Sequence, residues 1–260
     1  MINTSTSVSS ALTALYTTNN NDMTKTMSRI ASGKRIQTPG DDFAGYLRGS
    51  ALQSDIKQFT TVKQDIQEGK AYADFAKQVG NNILEDLAKM QNLEDAYALE
   101  AAGGNDANKL SAMSAQYDAL ATGIDNTQAS AAYDGTLVAD GSLSKAVTTD
   151  IDAGTYTIDG SSVTASLVGS IGTAGSVATE ATAMQTYVST METAGDQLDR
   201  ASKLTDTVIN SKNAVVSSIM DINETEELAN LTNLQVRMQA TVSMMSQSTM
   251  SQAAISKLFQ

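Results

Sequence analysis

Apolar residues near the start of the chain recur every three or four positions, which is the spacing of one helix face. They predict a first helix that runs from about residue 8 and ends at Gly33. The stripe consists of Val8, Leu12, Leu15, the polar Asn19, Met23, Met27 and Ile30. Because Asn19 interrupts it and Ser, Thr and Asn residues surround it, the stripe buries too little apolar surface to stabilise a lone helix. This segment therefore needs a partner.

A second helix is predicted to begin at the only proline of the chain. Thr38 is placed as its N-cap, Pro39 at the first helical position and Asp41 in the first turn. Apolar residues keep helical spacing as far as a Gly-Gly pair at 103–104. A helix over residues 41–101 would be about 90 Å long, twice the roughly 45 Å diameter of a compact globule of this chain length. The pattern therefore predicts an elongated rod.

A third helix is predicted after this Gly-Gly pair, because apolar residues again follow in steps of three and four. They are Leu110, Met113, Tyr117, Leu120 and Ile124. The short connection favours antiparallel packing of the third helix against the second. Each glycine inside the second helix costs about 1 kcal/mol relative to alanine, so bends or close packing are expected there. These glycines are Gly45, Gly49, Gly69 and Gly80.

The composition changes between Tyr133 and about Val177, where Gly, Ser, Thr and Asp dominate. Residues 155–158 and 162–165 flank an Asp-Gly pair at 159–160, which predicts a β-hairpin with its turn at that pair. Helical spacing resumes at 184–222, and the final segment carries another apolar face. Its members are Leu228, Leu231, Leu234, Met238, Val242, Met245, Ile255 and Leu258. The predicted fold is mainly α: a long antiparallel helical rod or coiled coil built from the N- and C-terminal segments, with a small hairpin-containing insertion.

Composition narrows the possible chemistry. The chain has no histidine, cysteine or tryptophan, and its 17 basic and 29 acidic residues give a net charge of −12. Imidazole bases, thiolate nucleophiles and Cys/His zinc sites are excluded, so we expect no enzyme, no catalytic or metal residues and no cofactor. The negative charge argues against nucleic acid as a partner. No membrane span or cleaved signal peptide is predicted, because no long apolar run or basic leader is present.

Two motifs give the chain a family resemblance. Residues 29–36 read R-I-A-S-G-K-R-I and residues 41–45 read D-D-F-A-G. They resemble the N-terminal pattern of bacterial flagellin, R-[LI]-[SA]-S-G-x-R-I followed by D-D-x-A-G, and residues 233–240 and 258–260 are similar to its C-terminal helix. The resemblance covers about residues 1–135 and 180–260. The residues that carry it are Arg29, Ser32, Gly33, Arg35, Asp41, Asp42, Ala44, Gly45 and Arg237.

The resemblance implies an organisation for the whole chain. Residues 1–40 and 223–260 would form the paired terminal helices of a filament inner core, and residues 41–134 and 178–222 the surrounding helical rod. Residues 135–177 would form a small β-rich insertion that faces outward. The two apolar stripes, together with Phe259, would then be the assembly interface. Both terminal segments are expected to order only when neighbouring copies surround them.

The resemblance also implies the function. The chain would be a structural subunit that polymerises into the bacterial flagellar filament for swimming motility. It would be exported by the flagellar type III apparatus to an extracellular location, with an export chaperone and the filament cap as partners besides copies of itself. No nucleic-acid or membrane partner is implied.

One segment departs from the family pattern. Flagellins that a vertebrate toll-like receptor detects carry a sequence similar to N-N-x-L-Q-R-x-R-E-L-A, whereas residues 81–91 here read N-N-I-L-E-D-L-A-K-M-Q. Asp86 and Ala88 stand where that pattern has two arginines, and Lys89 is part of the same altered segment. Loss of two forked donors and reversal of one charge predict weak recognition by that receptor.

Two alternatives remain open from the sequence. A hook–filament junction protein would share the terminal pattern and often has a proline before its Asp-Asp pair, as Pro39 does here. A secreted adhesion or host-binding module would instead use the 135–177 insertion, with Tyr156, Ile158 and Val163 as contacts.

Overall fold

A computed structural model of the chain describes residues 2–104, 106–139, 143–152, 154–160, 171 and 176–258, without the side chains of 2–7, 176, 252 and 255–258. Within these ranges the chain forms five helices: α1 (Ile2–Ser32), α2 (Phe43–Gly103), α3 (Ala107–Ser130), α4 (Ser176–Met220) and α5 (Glu224–Leu258). It also forms four short strands: β1 (Ala132–Tyr133), β2 (Thr136–Leu137), β3 (Ser144–Thr148) and β4 (Thr155–Asp159). The mainly α prediction is confirmed.

The chain divides into two compact units. The terminal unit consists of residues 1–54 and 211–260, and the central unit consists of residues 55–210. Among the described residues, no helix contains an apolar stretch of the length that crossing a bilayer requires.

The start of α2 differs from the prediction. Asp42, not Thr38, is the N-cap, because the Asp42 Oδ1 atom accepts a hydrogen bond from the Gly45 backbone N–H at 3.0 Å. The Thr38 hydroxyl donates instead to the Asp41 carboxylate at 3.1 Å. The Asp41 backbone N–H bonds the Thr38 carbonyl at 3.0 Å, so residues 38–41 form a turn and the helix begins after it. The prediction failed because Asp41 binds backward to the loop and leaves its neighbour to cap the helix.

Three ion pairs show how α2 and α4 pack in the central unit. When the residue number of the lysine on α2 rises by seven, the residue number of its acidic partner on α4 falls by seven. The two helices are therefore antiparallel with heptad spacing. The pairs are Lys63 with Asp206 at 2.6 Å, Lys70 with Asp199 at 2.5 Å and Lys77 with Glu192 at 3.0 Å. This confirms the antiparallel, coiled-coil-like arrangement of the predicted fold.

The third helix returns along α2 as predicted. The Tyr117 hydroxyl lies 3.4 Å from the Glu94 carboxylate, and both side chains are buried. Nearer the connection, the Lys109 ammonium lies 3.6 Å from the Glu100 carboxylate. Asp106 caps α3 by accepting from the backbone N–H of Asn108. Because the residue numbers run in opposite directions on the two helices, α2 and α3 are antiparallel.

A β-hairpin forms upstream of the predicted one. β4 lies where a strand was expected, and it pairs antiparallel with β3, with Ala146 opposite Thr157. Residues 162–165, the predicted partner, lie outside the described residues. Val147 on β3 and Ile158 on β4 are both buried, so the matching alternation of the two strands places one face of the hairpin in the core.

The core of the central unit joins α2, α3, α4 and the strands, and two glycines explain the close approach. A Cβ atom on Gly69 would lie 2.5 Å from the Val147 Cγ2 atom, and one on Gly80 would lie 2.7 Å from the Val188 Cγ2 atom. Close packing, rather than bending, therefore accounts for these helical glycines. The largest fully buried side chains include Ile66, Tyr72, Ile83, Leu87, Met90, Ile124, Leu143, Met184 and Tyr187.

Candidate assembly interface

The terminal unit contains the two helices that the sequence singled out. α1 and α5 pack along each other, and they run antiparallel because Asn19 contacts Thr241 while Arg29 contacts Glu227. The less exposed side chains of both helices follow steps of three and four, the spacing of a two-helix seam. On α1 they are Leu12, Tyr16, Asn19, Met23, Thr26 and Ile30, and on α5 Glu227, Leu231, Leu234, Met238, Thr241, Met245 and Ser248.

The most deeply buried positions of this seam are polar. Asn19, Thr26 and Thr241 are only 5%, 6% and 1% exposed. The Asn19 Nδ2 group lies 3.4 Å from the Thr241 Oγ1 atom, and the Thr241 hydroxyl donates to the Arg237 carbonyl at 2.8 Å. The apolar side chains of the seam are only partly covered. The pair therefore buries little apolar surface within one chain.

The structure divides the predicted interface residues between two faces. Leu12, Asn19, Met23, Ile30, Leu231, Leu234, Met238 and Met245 turn toward the seam. Val8, Leu15, Met27, Leu228 and Val242 stay between 45% and 54% exposed. The side chains of Ile255, Leu258 and Phe259 lie outside the described residues. Three further exposed apolar residues, Val236, Met244 and Met250, were missed by the stripe because they lie off its spacing.

A set of backbone contacts, which we call the base clamp, joins residues 33–36 to residues 219–222. The Ile222 N–H donates to the Gly33 carbonyl at 3.1 Å, and the backbone N–H groups of Arg35 and Ile36 donate to the Met220 carbonyl at 2.6 and 3.3 Å. Gly33 ends α1 with a φ of +68°, a conformation that favours glycine. The clamp therefore ties the end of α1 and the residues after it to the last residue of α4 and to the linker that follows.

Arg35 adds its side chain to the clamp. Its Nη2 group donates to the Ile219 carbonyl at 2.8 Å. Ile219 and Met220 lie in the last turn of α4, where carbonyl groups have no partner within the helix. Arg35 thus caps α4 across the chain. This gives Gly33 and Arg35 of the family motif a structural role.

Asp41 closes the loop that follows the clamp. Its Oδ1 atom lies 2.9 Å from the Lys25 ammonium and 3.4 Å from the Arg29 guanidinium, both on α1. Its Oδ2 atom accepts from the backbone N–H groups of Gln37 and Thr38 at 3.2 and 3.0 Å. The pKa of Asp41 is held well below its usual range. The hydrogen bond from Lys25 is the largest cause, and the hydrogen bond from the Thr38 backbone is the next.

The remaining motif residues fall into three groups. Ser32 joins the loop, because its hydroxyl accepts from the Gln37 side chain at 2.6 Å. Gly45 is required beside the cap of α2, because a Cβ atom there would lie 2.5 Å from the Asp42 Oδ2 atom. Ala44 is exposed, and Arg237 is an exposed residue of α5. Arg237 lines a polar groove between α1 and α5 with Asp22, Lys25, Arg29 and Glu227.

The departing segment lies in α2 of the central unit. The Lys89 ammonium lies 2.7 Å from the Asp86 carboxylate, and this hydrogen bond raises the pKa of Lys89. Ala88 is exposed and offers no donor. The receptor-detected flagellins have two arginine guanidinium groups at these positions. This chain instead presents the Asp86 carboxylate, which is paired with Lys89, and the methyl group of Ala88.

The contacts expected for an adhesion module are not assembled at the surface. Ile158 is fully buried in the core, so its assignment as a surface contact is wrong. Tyr156 is half-buried beside α4. Val163 lies outside the described residues.

The matching family model and the matching relatives agree on one family. Residues 2–144 match the model of the bacterial flagellin N-terminal helical region. The chain is 28% identical over 269 residues to flagellin FljM of Caulobacter vibrioides, covering 96% of each chain. It is also 28% identical over 273 residues to flagellin FljK of that organism, covering 99% of this chain and 98% of the relative. Among solved structures, Bacillus cereus flagellin matches with a TM-score of 0.42 and 16% identity over 57% of this chain and 88% of that one.

Proposed function

The chain belongs to the bacterial flagellin family, and we propose that its terminal helix pair is the surface through which copies polymerise into a filament. The family is structural and its members are not enzymes. The protein is accordingly a structural subunit of the flagellar filament that assembles with copies of itself. A hook–filament junction protein is not favoured, because the relatives that match are flagellins.

The narrow polar seam between α1 and α5 supports this proposal. Asn19, Thr26 and Thr241 are the buried positions of this seam, and its apolar side chains are only partly covered. Among the described residues of the two helices, eight large apolar side chains are at least 45% exposed. Neighbouring copies would cover these side chains, so their burial would stabilise the assembled filament and not the single chain.

The proposal extends to the arrangement of the chain in the filament. Residues 1–40 and 223–260 form the inner core, residues 41–134 and 178–222 form the helical rod, and residues 135–177 form the outward insertion. Family membership supports this arrangement. The terminal helices order fully only after neighbours cover their exposed faces, because the pair alone buries too little apolar surface to offset the entropy of ordering it.

The finer aspects of function follow from the same membership. The chain is exported by the flagellar type III apparatus, becomes part of an extracellular flagellum and serves swimming motility. Growth of the filament involves a cap, and an export chaperone escorts α5. The exposed, flexible side chains of Met244 and Met250 on α5 suit a partner that must grip and release the helix.

Removal of residues 223–260 tests the proposal. The truncated chain is expected to remain soluble and largely helical by circular dichroism, because the central unit keeps its own core. Under polymerising salt it is expected to form no filaments by electron microscopy, while the full chain forms long ones. Normal filaments from the truncated chain would refute the proposal. Growth of the full chain that stops at a short zone would instead indicate a junction protein.

A further inference from the structure

The seam between α1 and α5 does not by itself select one alignment of the two helices. Its polar positions repeat at intervals of seven, with Asn19 and Thr26 on α1 and Thr241 and Ser248 on α5. In the observed alignment Asn19 contacts Thr241, and Thr26 lines one groove with Leu234. A slide of seven residues, about 10 Å, would place Asn19 beside Ser248 and Thr26 beside Thr241. The buried polar side chains Asn19, Thr26 and Thr241 would each meet a polar side chain in the shifted alignment.

The apolar positions of the seam tolerate the same slide. Counting from the Asn19–Thr241 contact, Met23 lies within one residue of the level of Met238, and the slide would bring it within one residue of the level of Met245. Ile30 would meet Met238 in place of a leucine. Methionine side chains adapt to new neighbours easily, so these exchanges leave the apolar contacts similar in kind.

The base clamp distinguishes the two alignments. It holds the last turn of α4 and the linker 221–223 against residues 33–36 through four hydrogen bonds: one from Ile222 in the linker to Gly33, two from the Arg35 and Ile36 backbones to Met220, and one from the Arg35 side chain to Ile219. A slide would carry the first two turns of α5 past the end of α1. Because the bonds from Arg35 and Ile36 hold the end of α4 in place, the three-residue linker could follow α5 only if the bond to Gly33 broke or those turns unwound. The Arg29–Glu227 ion pair at 3.8 Å would also be lost.

We propose that the base clamp, with Arg35 as its register-determining residue, selects the observed alignment of α1 and α5, and that these helices have a second alignment displaced by one heptad. The clamp residues thus do more than cap two helices. They decide which of two chemically similar seams forms. The inference concerns contacts within one chain, so it does not depend on the proposed function.

A distance between two spin labels tests this proposal, because the chain contains no cysteine and two introduced cysteines carry the only labels. Ala31→Cys and Ser251→Cys place labels at exposed positions of α1 and α5. Counting from the Asn19–Thr241 contact, they are 22 residues apart along the pair, about 33 Å. The slide would bring them to 15 residues, about 22 Å. Pulsed electron paramagnetic resonance resolves that difference.

The labelled chain is diluted into an excess of the same chain without labels, so that only distances within one chain are measured. An osmolyte that strengthens apolar burial is added to the sample, so that α1 and α5 stay paired even in a variant that forms no filaments. The clamp variant is Gly33→Ala with Arg35→Ala, and the matched control is Lys34→Ala, whose side chain makes none of the clamp bonds. A third variant adds Thr26→Leu to the clamp variant, because leucine there suits Leu234 in the observed alignment and mismatches Thr241 in the shifted one.

The parent labelled chain and the Lys34→Ala control are expected to give one distance near 33 Å. The clamp variant is expected to show a second maximum about 10 Å shorter, and Thr26→Leu is expected to reduce it. A single unshifted distance in the clamp variant overturns the proposal. A broad distribution without a second maximum also overturns it, because the clamp would then be needed for pairing itself. Filament formation is scored separately by electron microscopy, so failure of the proposed function is distinguishable.

Discussion

The exposed apolar side chains of α1 and α5 allow a quantitative prediction about assembly. Leu15 and Met244 are 45% and 48% exposed in the single chain. Full burial of such a side chain contributes roughly 1.5–3 kcal/mol, so the half that remains exposed is worth about 1 kcal/mol each when a neighbour covers it. Replacing both by asparagine removes about 2 kcal/mol from each assembly contact. Since about 1.4 kcal/mol corresponds to a factor of ten, the critical concentration for growth should rise roughly 30-fold.

The assay measures the protein left in the supernatant after seeded growth reaches its plateau and filaments are sedimented. The double variant Leu15→Asn and Met244→Asn is compared with Thr17→Asn and Thr232→Asn, which introduce the same residue at exposed polar positions of the same helices. The control should polymerise as the unmodified chain does. Thermal unfolding of the central unit should be the same in all three chains. If the critical concentration of the double variant rose by less than about threefold, the prediction would be wrong, because the exposed apolar faces of α1 and α5 would then stay in water in the filament.

Three further predictions follow from individual contacts. Asp41→Asn should lower the free energy of unfolding of the terminal unit by roughly 1–2 kcal/mol near neutral pH, since the lost bonds involve charged groups but are partly screened. Because the pKa of Asp41 is lowered in the folded state, this difference should be present above about pH 4, the unfolded value, and should fade as the pH falls through the folded value. Urea titrations from pH 7 to 2 measure this difference in the free energy of unfolding. The control Asp42→Asn keeps a good N-cap and should lower the free energy of unfolding only slightly. Equal losses in the two variants would contradict the roles assigned to Asp41 and Asp42. Burial raises the pKa of Glu94 despite its hydrogen bond from a tyrosine. Glu94→Gln should therefore stabilise the central unit more at pH 7 than at pH 4. Greater stabilisation at pH 4 would contradict a raised pKa. Asp86→Arg with Ala88→Arg should raise activation of a toll-like receptor reporter by the purified monomer, and full activation by the unmodified chain would exclude the proposed weakening.

Most of the helices were predictable from the sequence alone. The ends of α1 at Ser32 and of α2 at Gly103 follow the predicted spacing closely, whereas α1 begins at Ile2, before the predicted start near residue 8. Helices form through hydrogen bonds between residues four positions apart, and side chains three and four positions apart share a face, so local sequence carries the information. The motif residues were also found from the sequence, although it could not show that Gly33 binds the linker after α4 and that Arg35 binds the last turn of α4.

Contacts between distant segments became known only from the folded chain. The sequence placed Asp41 inside a helix, whereas the structure turns its carboxylate toward Lys25 and Arg29 on α1. It did not show that β4 pairs with β3, which precedes it in the chain. It assigned Val8 and Leu12 to one stripe, whereas packing leaves the first exposed and turns the second toward α5. In each case several partners of similar chemistry were available, and the choice among them depends on which segments the completed fold brings together.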